Sequence, residues 1–195
     1  LEASADPQGK ASSEGINAGG VAVGVSTATS KITPTITAAI GQSNTITADR
    51  LSIQAQLLRQ QGANSSEAVA MAAGGGLVGV NATVSSADSE ADVSGKVGDA
   101  STLTITKTVD VNASADTKQD SKATAVAVGL VAAGANVASA SSNNDVQAYI
   151  GKNVTVNAGK DAQNNIKNSG LVSVTATGTD NNFASSQAGV GGVVA

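Results

Sequence analysis

The chain has 195 residues, a net charge of −4, and no His, Cys or Trp. Without His and Cys, zinc and haem centres of the usual kind are excluded. Two arginines, Arg50 and Arg59, and two aromatics, Tyr149 and Phe183, supply neither a basic stripe nor stacking platforms for nucleic acid.

The apolar fraction, 41%, is drawn from Ala and Val more than from Leu and Phe. A core without aromatic anchors implies a narrow, regular interior whose layers lie close together. Ser, Thr, Asn and 22 Gly make a composition shared with disordered chains. The low net charge, two prolines and patterned Val, Ile and Leu positions argue for order instead. Leu1-Glu2-Ala3 has neither a basic n-region nor an apolar h-region, and no initiating Met, so the chain reads as an excised fragment. The longest apolar run, Ala68–Val80, is too short and Gly-rich to span a bilayer, which takes about 20 residues. No membrane insertion is expected.

From the N-terminus, Ala3–Asp6 (ASAD) opens a block that closes at Gly41. The same opening recurs at Ala113–Asp116, and its block closes at Gly151; Ala to Gly is 38 positions in both. Leu51–Gln56 (LSIQAQ) reads as a strand. Glu67–Ala73 holds good helix formers, but Gly74-Gly75-Gly76 and the branched residues of Leu77–Val80 oppose a helix. The equivalent Thr124–Val131 (TAVAVGLV) alternates as a strand does. Thr102–Thr106 (TLTIT), Val109–Ser114 (VDVNAS), Asn153–Asn157 (NVTVN) and Leu171–Thr177 (LVSVTAT) predict further short strands. Gly, Asn and Asp between them predict turns, and Ala115–Asp120 (ADTKQD) is a turn-like segment.

These landmarks divide the chain into imperfect repeats at about 3–56, 57–114 and 115–177, with a partial one at 178–195. Gly41, Gly98 and Gly151 are spaced by 57 and 53; Ala55, Ala113 and Ala176 by 58 and 63. The uneven spacing implies loop insertions, the clearest being Lys160–Gly170, where the first repeat has only Asp49-Arg50. Short strands, corner turns and a period of roughly 55–60 residues predict a single all-β unit, a β-solenoid. At about 20 residues per coil each repeat makes three coils, and the chain nine or ten, a rod of roughly 45 Å at ~4.8 Å per stacked strand. Val, Ile, Leu and Ala would line the interior, with Ser, Thr and Asn in ladders or facing solvent.

Chemistry is sparse. Asp88, Glu90 and Asp92 (SADSEAD) alternate on one face of a strand, where calcium would relieve their repulsion; the other reading is a solvated outer face. Neither a glycine-rich calcium nonapeptide nor an EF-hand loop is present. Asp116 and Asp120 offer the carboxylates that a glycosidase pair needs, on a segment that reads as solvated loop. The serines have no His beside them and no G-x-S-x-G. Tyr149 reads as a partly buried strand residue. Gly19-Gly20, Gly74–Gly76 and Gly191-Gly192 fit no phosphate loop and read as tight corners or close contacts between coils. N-x-[ST] triplets at Asn64, Asn81, Asn112 and Asn153 arise by chance in so Ser/Thr/Asn-rich a chain. Asn143-Asn144-Asp145, Lys160–Gly170 and Asp180-Asn181-Asn182 are the loops best placed for partner contact. No catalytic residue, cofactor or metal ligand is assigned.

The blocks Ala22–Gly41, Gly76–Gly98 and Gly129–Gly159, and above all Ala148–Ala158 (AYIGKNVTVNA), resemble the repeat shafts of large secreted bacterial adhesins of the filamentous-haemagglutinin and leukotoxin-like filamentous adhesin kind. The resemblance covers nearly the whole chain, in style and period and not in a diagnostic motif. It implies a right-handed parallel β-helix, export to the cell surface, flanking repeats in a parent chain, and a non-enzymatic role as a stalk in attachment. A host-cell or surface receptor, or a glycan, would be met through the outer loops. Pectin-degrading and phage-tailspike enzymes also use such helices, so a carbohydrate-active β-helix or a receptor- or glycan-binding module is the second expectation.

Overall fold

The computed structural model describes residues 1–194; Ala195, the last residue of the partial fourth repeat, lies outside them. Every element is a strand: β1 (Glu2–Ala5), β2 (Gly9–Ala18), β3 (Val21–Ile32), β4 (Thr35–Ile40), β5 (Thr45–Leu57), β6 (Ser66–Ser89), β7 (Asp92–Val97), β8 (Thr102–Ser142), β9 (Asp145–Ile150), β10 (Thr155–Ala158) and β11 (Leu171–Val194). The named strands pair in parallel throughout, in a sheet curled into a half-barrel and a second sheet of β4, β7 and β9.

The register sets the architecture. Ala3 lies beside Ala55, Ala55 beside Ala113, and Ala113 beside Ala176, a column of four. Ile40, Val97 and Ile150, each just before a landmark glycine, form another. A residue therefore meets its equivalent one whole repeat later, never about 20 residues later. The expected short coil is overturned: each repeat makes one level, and four levels at ~4.8 Å rise only about 14 Å. The molecule is a shallow stack of wide levels.

The width comes from the Ala/Gly/Ser runs. In the first level β2 runs out, turns at Gly19-Gly20, and β3 runs back face to face with it: Ser26 Oγ donates to Ser13 Oγ at 2.8 Å, and a Cβ on Gly9 would meet Ser30 Oγ at 2.8 Å. The same arm recurs in β6 and β8. Hydroxyls zip its two leaves between levels, Ser66 Oγ to Ser30 Oγ at 2.8 Å and Ser121 Oγ to Ser85 Oγ at 2.9 Å. Leaves this close admit only small side chains. Ala22, Ser26, Ala28 and Ser30 point inward, while Val21, Val23 and Val25 point out. Of the expected interior of Val, Ile, Leu and Ala, the arm keeps only the Ala, and its Val face outward.

At the other end, β4, β5 and their counterparts enclose a wider base. Its core is of the expected kind, with Ile53, Leu57, Leu103, Ile105, Val109 and Val111 fully buried. Burying such a side chain contributes about 1.5–3 kcal/mol, so the base holds most of the apolar stabilisation.

Two insertions leave the stack sideways. Partner separation rises from 53 in β10–β8 to 63 in β11–β8, which places ten extra residues at the expected Lys160–Gly170. Separation also falls from 58 in β5–β8 to 53 in β6–β8, marking a five-residue insertion at 58–65 that the sequence did not flag. Asn153 begins no strand: it takes a left-handed turn (φ 55°), and β10 starts at Thr155. Ala115–Asp120 is no turn either; it runs inside β8. Its Thr117 and Gln119 point into the stack; β11 pairs its whole length on one side, while on the other β5 ends at Ala115 and β6 begins at Gln119.

Candidate functional site

The most elaborate polar chemistry lies where arm meets base. Asn144, in the turn between β8 and β9, directs its side chain inward. Its Nδ2 donates to Asp180 Oδ1 at 2.7 Å and Thr117 Oγ1 at 3.1 Å, while Ser89 Oγ and the Ala91 N–H donate to its Oδ1 at 2.8 and 2.9 Å. Thr117 Oγ1 in turn donates to Asp180 Oδ1 at 2.5 Å. Beside it Ser142 Oγ lies 2.7 Å from Gln119 Oε1 and 3.0 Å from Asn182 Oδ1. The network ties the second, third and fourth levels together. Asn144, Asp180 and Asn182, expected on separate outer loops, are brought together by the stacking of levels; Asp180–Asn182 is strand and remains exposed on the last level.

On the outside of the same corner opens a cleft of about 660 Å³, lined by Thr33, Thr35, Glu90, Asp92, Asn143, Asn144 and Asp145. Stacking concentrates its charge. Thr35, Asp92 and Asp145 are register partners on successive levels, so the two aspartates are cross-strand neighbours. Like charges so placed repel. Local bonds offset part of this: Lys31 Nζ is 2.7 Å from Glu90, and Gln147 Nε2 donates to Asp145 at 2.7 Å.

Of the acidic triplet, Glu90 and Asp92 line this cleft, whereas Asp88 lies further along the outer face and accepts hydrogen bonds from Ser86 Oγ at 2.9 Å and Ser141 Oγ at 2.6 Å. The described residues hold no group of three or more carboxylates arranged to hold a metal ion. Asp116 and Asp120 have separate partners. Asp116 receives a two-pronged hydrogen bond from Arg59 Nε and Nη2 at 3.1 and 3.2 Å; Asp120, buried, pairs with Lys122 at 3.0 Å. Arg59 stands in the unflagged insertion. Its signal was a spacing: Ala55 to Ser66 is eleven positions, Ala113 to Gln119 only six.

Tyr149 is a strand residue on the outer face, 40% exposed, with Lys96 Nζ of the level below 6.0 Å from its ring centre. Of the N-x-[ST] asparagines, Asn81 is fully buried. In the 160–170 insertion, Asp161 accepts from the N–H groups of Gln163 and Asn165 at 3.0 and 2.8 Å. The Asn165 backbone hydrogen bond, then its side chain and Lys167, lower the Asp161 pKa to about 2. Asp49 is also lowered, by hydrogen bonds from Thr106 and then Lys107. Neither carboxylate faces the cleft. No family model, curated protein or solved structure matches the chain.

Proposed function

We propose that the chain is a structural module, a stalk segment of an extracellular bacterial adhesin, and that its levels wind as a right-handed parallel β-helix. The observation that carries this reading is the in-register column from Ala3 to Ala176. Each repeat lies on its predecessor, so adding repeats adds height by nearest-neighbour stacking. A stalk needs little chemistry; it needs a stack that holds a distant binding element away from the cell. Two measurements test it. Small-angle scattering of chains carrying one more and one fewer repeat should change the dimension along the stack, the short one in this chain, by about 4.8 Å per level and leave the width of a level unchanged. A polysaccharide panel should show no turnover. Cleavage of a glycan that disappears with Asp92→Asn or Asp145→Asn would overturn the stalk reading.

One observation favours a second reading, a glycan- or receptor-binding flank. The outer cleft sets Asp92, Asp145 and Glu90 beside Thr33, Thr35 and Asn143, acceptors and donors suited to sugar hydroxyls. No aromatic platform accompanies them. Specific binding by this chain, weakened by Asp145→Asn, would favour it.

A further inference from the structure

The reversed arm leaves its large side chains outside. On its returning leaf the outward rows, read across three levels, are Val21/Val78/Val131, Val23/Val80/Ala133, Val25/Ala82/Ala135 and Thr27/Val84/Val137. Val21 and Val25 are 71% exposed and Val23 62%. No charged residue occurs in 15–30, 68–87 or 123–144, so all the charge of these three levels lies toward the base. Contiguous apolar surface of this kind marks an interaction site.

We propose that this face packs against the same face of a second copy, sheet on sheet. Three observations favour that occupant. Twelve residues of β3 at ~3.3 Å, over three strands at ~4.8 Å, give a flat footprint of roughly 570 Å² per copy, made of the apolar rows at 21–27 and a polar rim of the Thr29 and Lys31 rows. Two copies reach roughly 1,100 Å² before side-chain relief is counted, beside the ~1,200 Å² at which stable interfaces begin. The face is also self-complementary. A two-fold axis along the strands sets the first level against the second copy's third, so Val23 and Val25 face its Ala133 and Ala135, large against small. Finally, the tip lacks the Trp, Tyr and basic residues that seat proteins at a lipid surface.

Sedimentation of the whole chain over a wide concentration range tests this. A reversible monomer–dimer equilibrium is expected, weakened at least tenfold by V23K/V25K, whose side chains are exposed and whose monomer fold, read by circular dichroism, should persist. The milder V23T/V25T, which keeps strand propensity, should weaken it less, and S12K on the opposite leaf should leave it unchanged. A monomer at every concentration, or a dimer indifferent to V23K/V25K, overturns the proposal. So does a monomer that floats with neutral phosphatidylcholine vesicles, since lipid would then be the occupant.

Discussion

Gly98→Ala probes the stacking of the corners directly. Gly98 lies on Gly41 of the level below: an added Cβ would stand 2.5 Å from the Gly41 carbonyl carbon, 2.6 Å from the Gln42 nitrogen and 2.7 Å from the Gly41 oxygen. All three are backbone atoms, so no side chain can swing aside and the two levels must part. Gly98 has no positive φ, and in open space the substitution would stabilise by about 0.4–1 kcal/mol through the unfolded chain. Overpacking of a close contact costs about 1–3 kcal/mol, so after that gain is subtracted a net loss of about 1 kcal/mol is expected, or about 2–4 °C in Tm for a chain of this size. Gly20→Ala is the control: it too lies at a corner without positive φ, but nothing stands within 4 Å of its Cβ position. Urea denaturation followed by far-UV circular dichroism should give opposite signs for the two variants. Equal effects would refute the description of the corners as backbone packed on backbone.

Leu103→Ala empties a fully buried site in the base core and should cost about 2–5 kcal/mol in the same assay. Asn144→Ala leaves Ser89, Thr117 and Asp180 short of partners and should cost about 1–3 kcal/mol; Asn144→Asp should be worse at neutral pH than at pH 3, because it sets a second carboxylate against Asp180. The 160–170 insertion should be acid-sensitive in one direction. Asp161, normally near 3.8, is lowered to about 2 in the fold, so its contribution is complete above pH 3.8 and lost as the pH falls through about 2. The amide NMR signals of Gln163 and Asn165 should titrate over that window in the native chain and stay flat in Asp161→Asn.

The strands were legible because period-two alternation is a local signal: Leu51–Gln56, Thr102–Thr106 and Leu171–Thr177 all fall in strands. So was the insertion after Gly159, since a spacing reads directly as extra chain. The size of a level was not legible, because alternation looks the same in a strand of five residues or of twenty-four. Turn-favouring residues misled for a physical reason. Asn17, Gly24, Gly74 and Asn81 sit in mid-strand, where each Asn fills the room left by the Gly across the arm. Buried Asn81 uses its Nδ2 to bond the Val126 carbonyl at 2.7 Å. The same four positions explain the reversed arm, since a leaf that fits Asn against Gly has no room for Val. At the corner, Asn144 and Asp180 are 36 residues apart, and no local pattern joins them; only the level spacing does.

The one-repeat register also dictates how the chain can assemble. Partners lie 52–63 residues apart, so the pairings are strongly non-local, the kind that makes all-β domains fold slowly. The first pairing must close a loop of that length with little local structure to reward it, so nucleation is slow. Every later level lands on an edge that already presents its hydrogen-bonding groups, its Ala column and its bare glycine corner. Growth is therefore templated, one long turn at a time, and a chain delivered end first can add each level as it emerges.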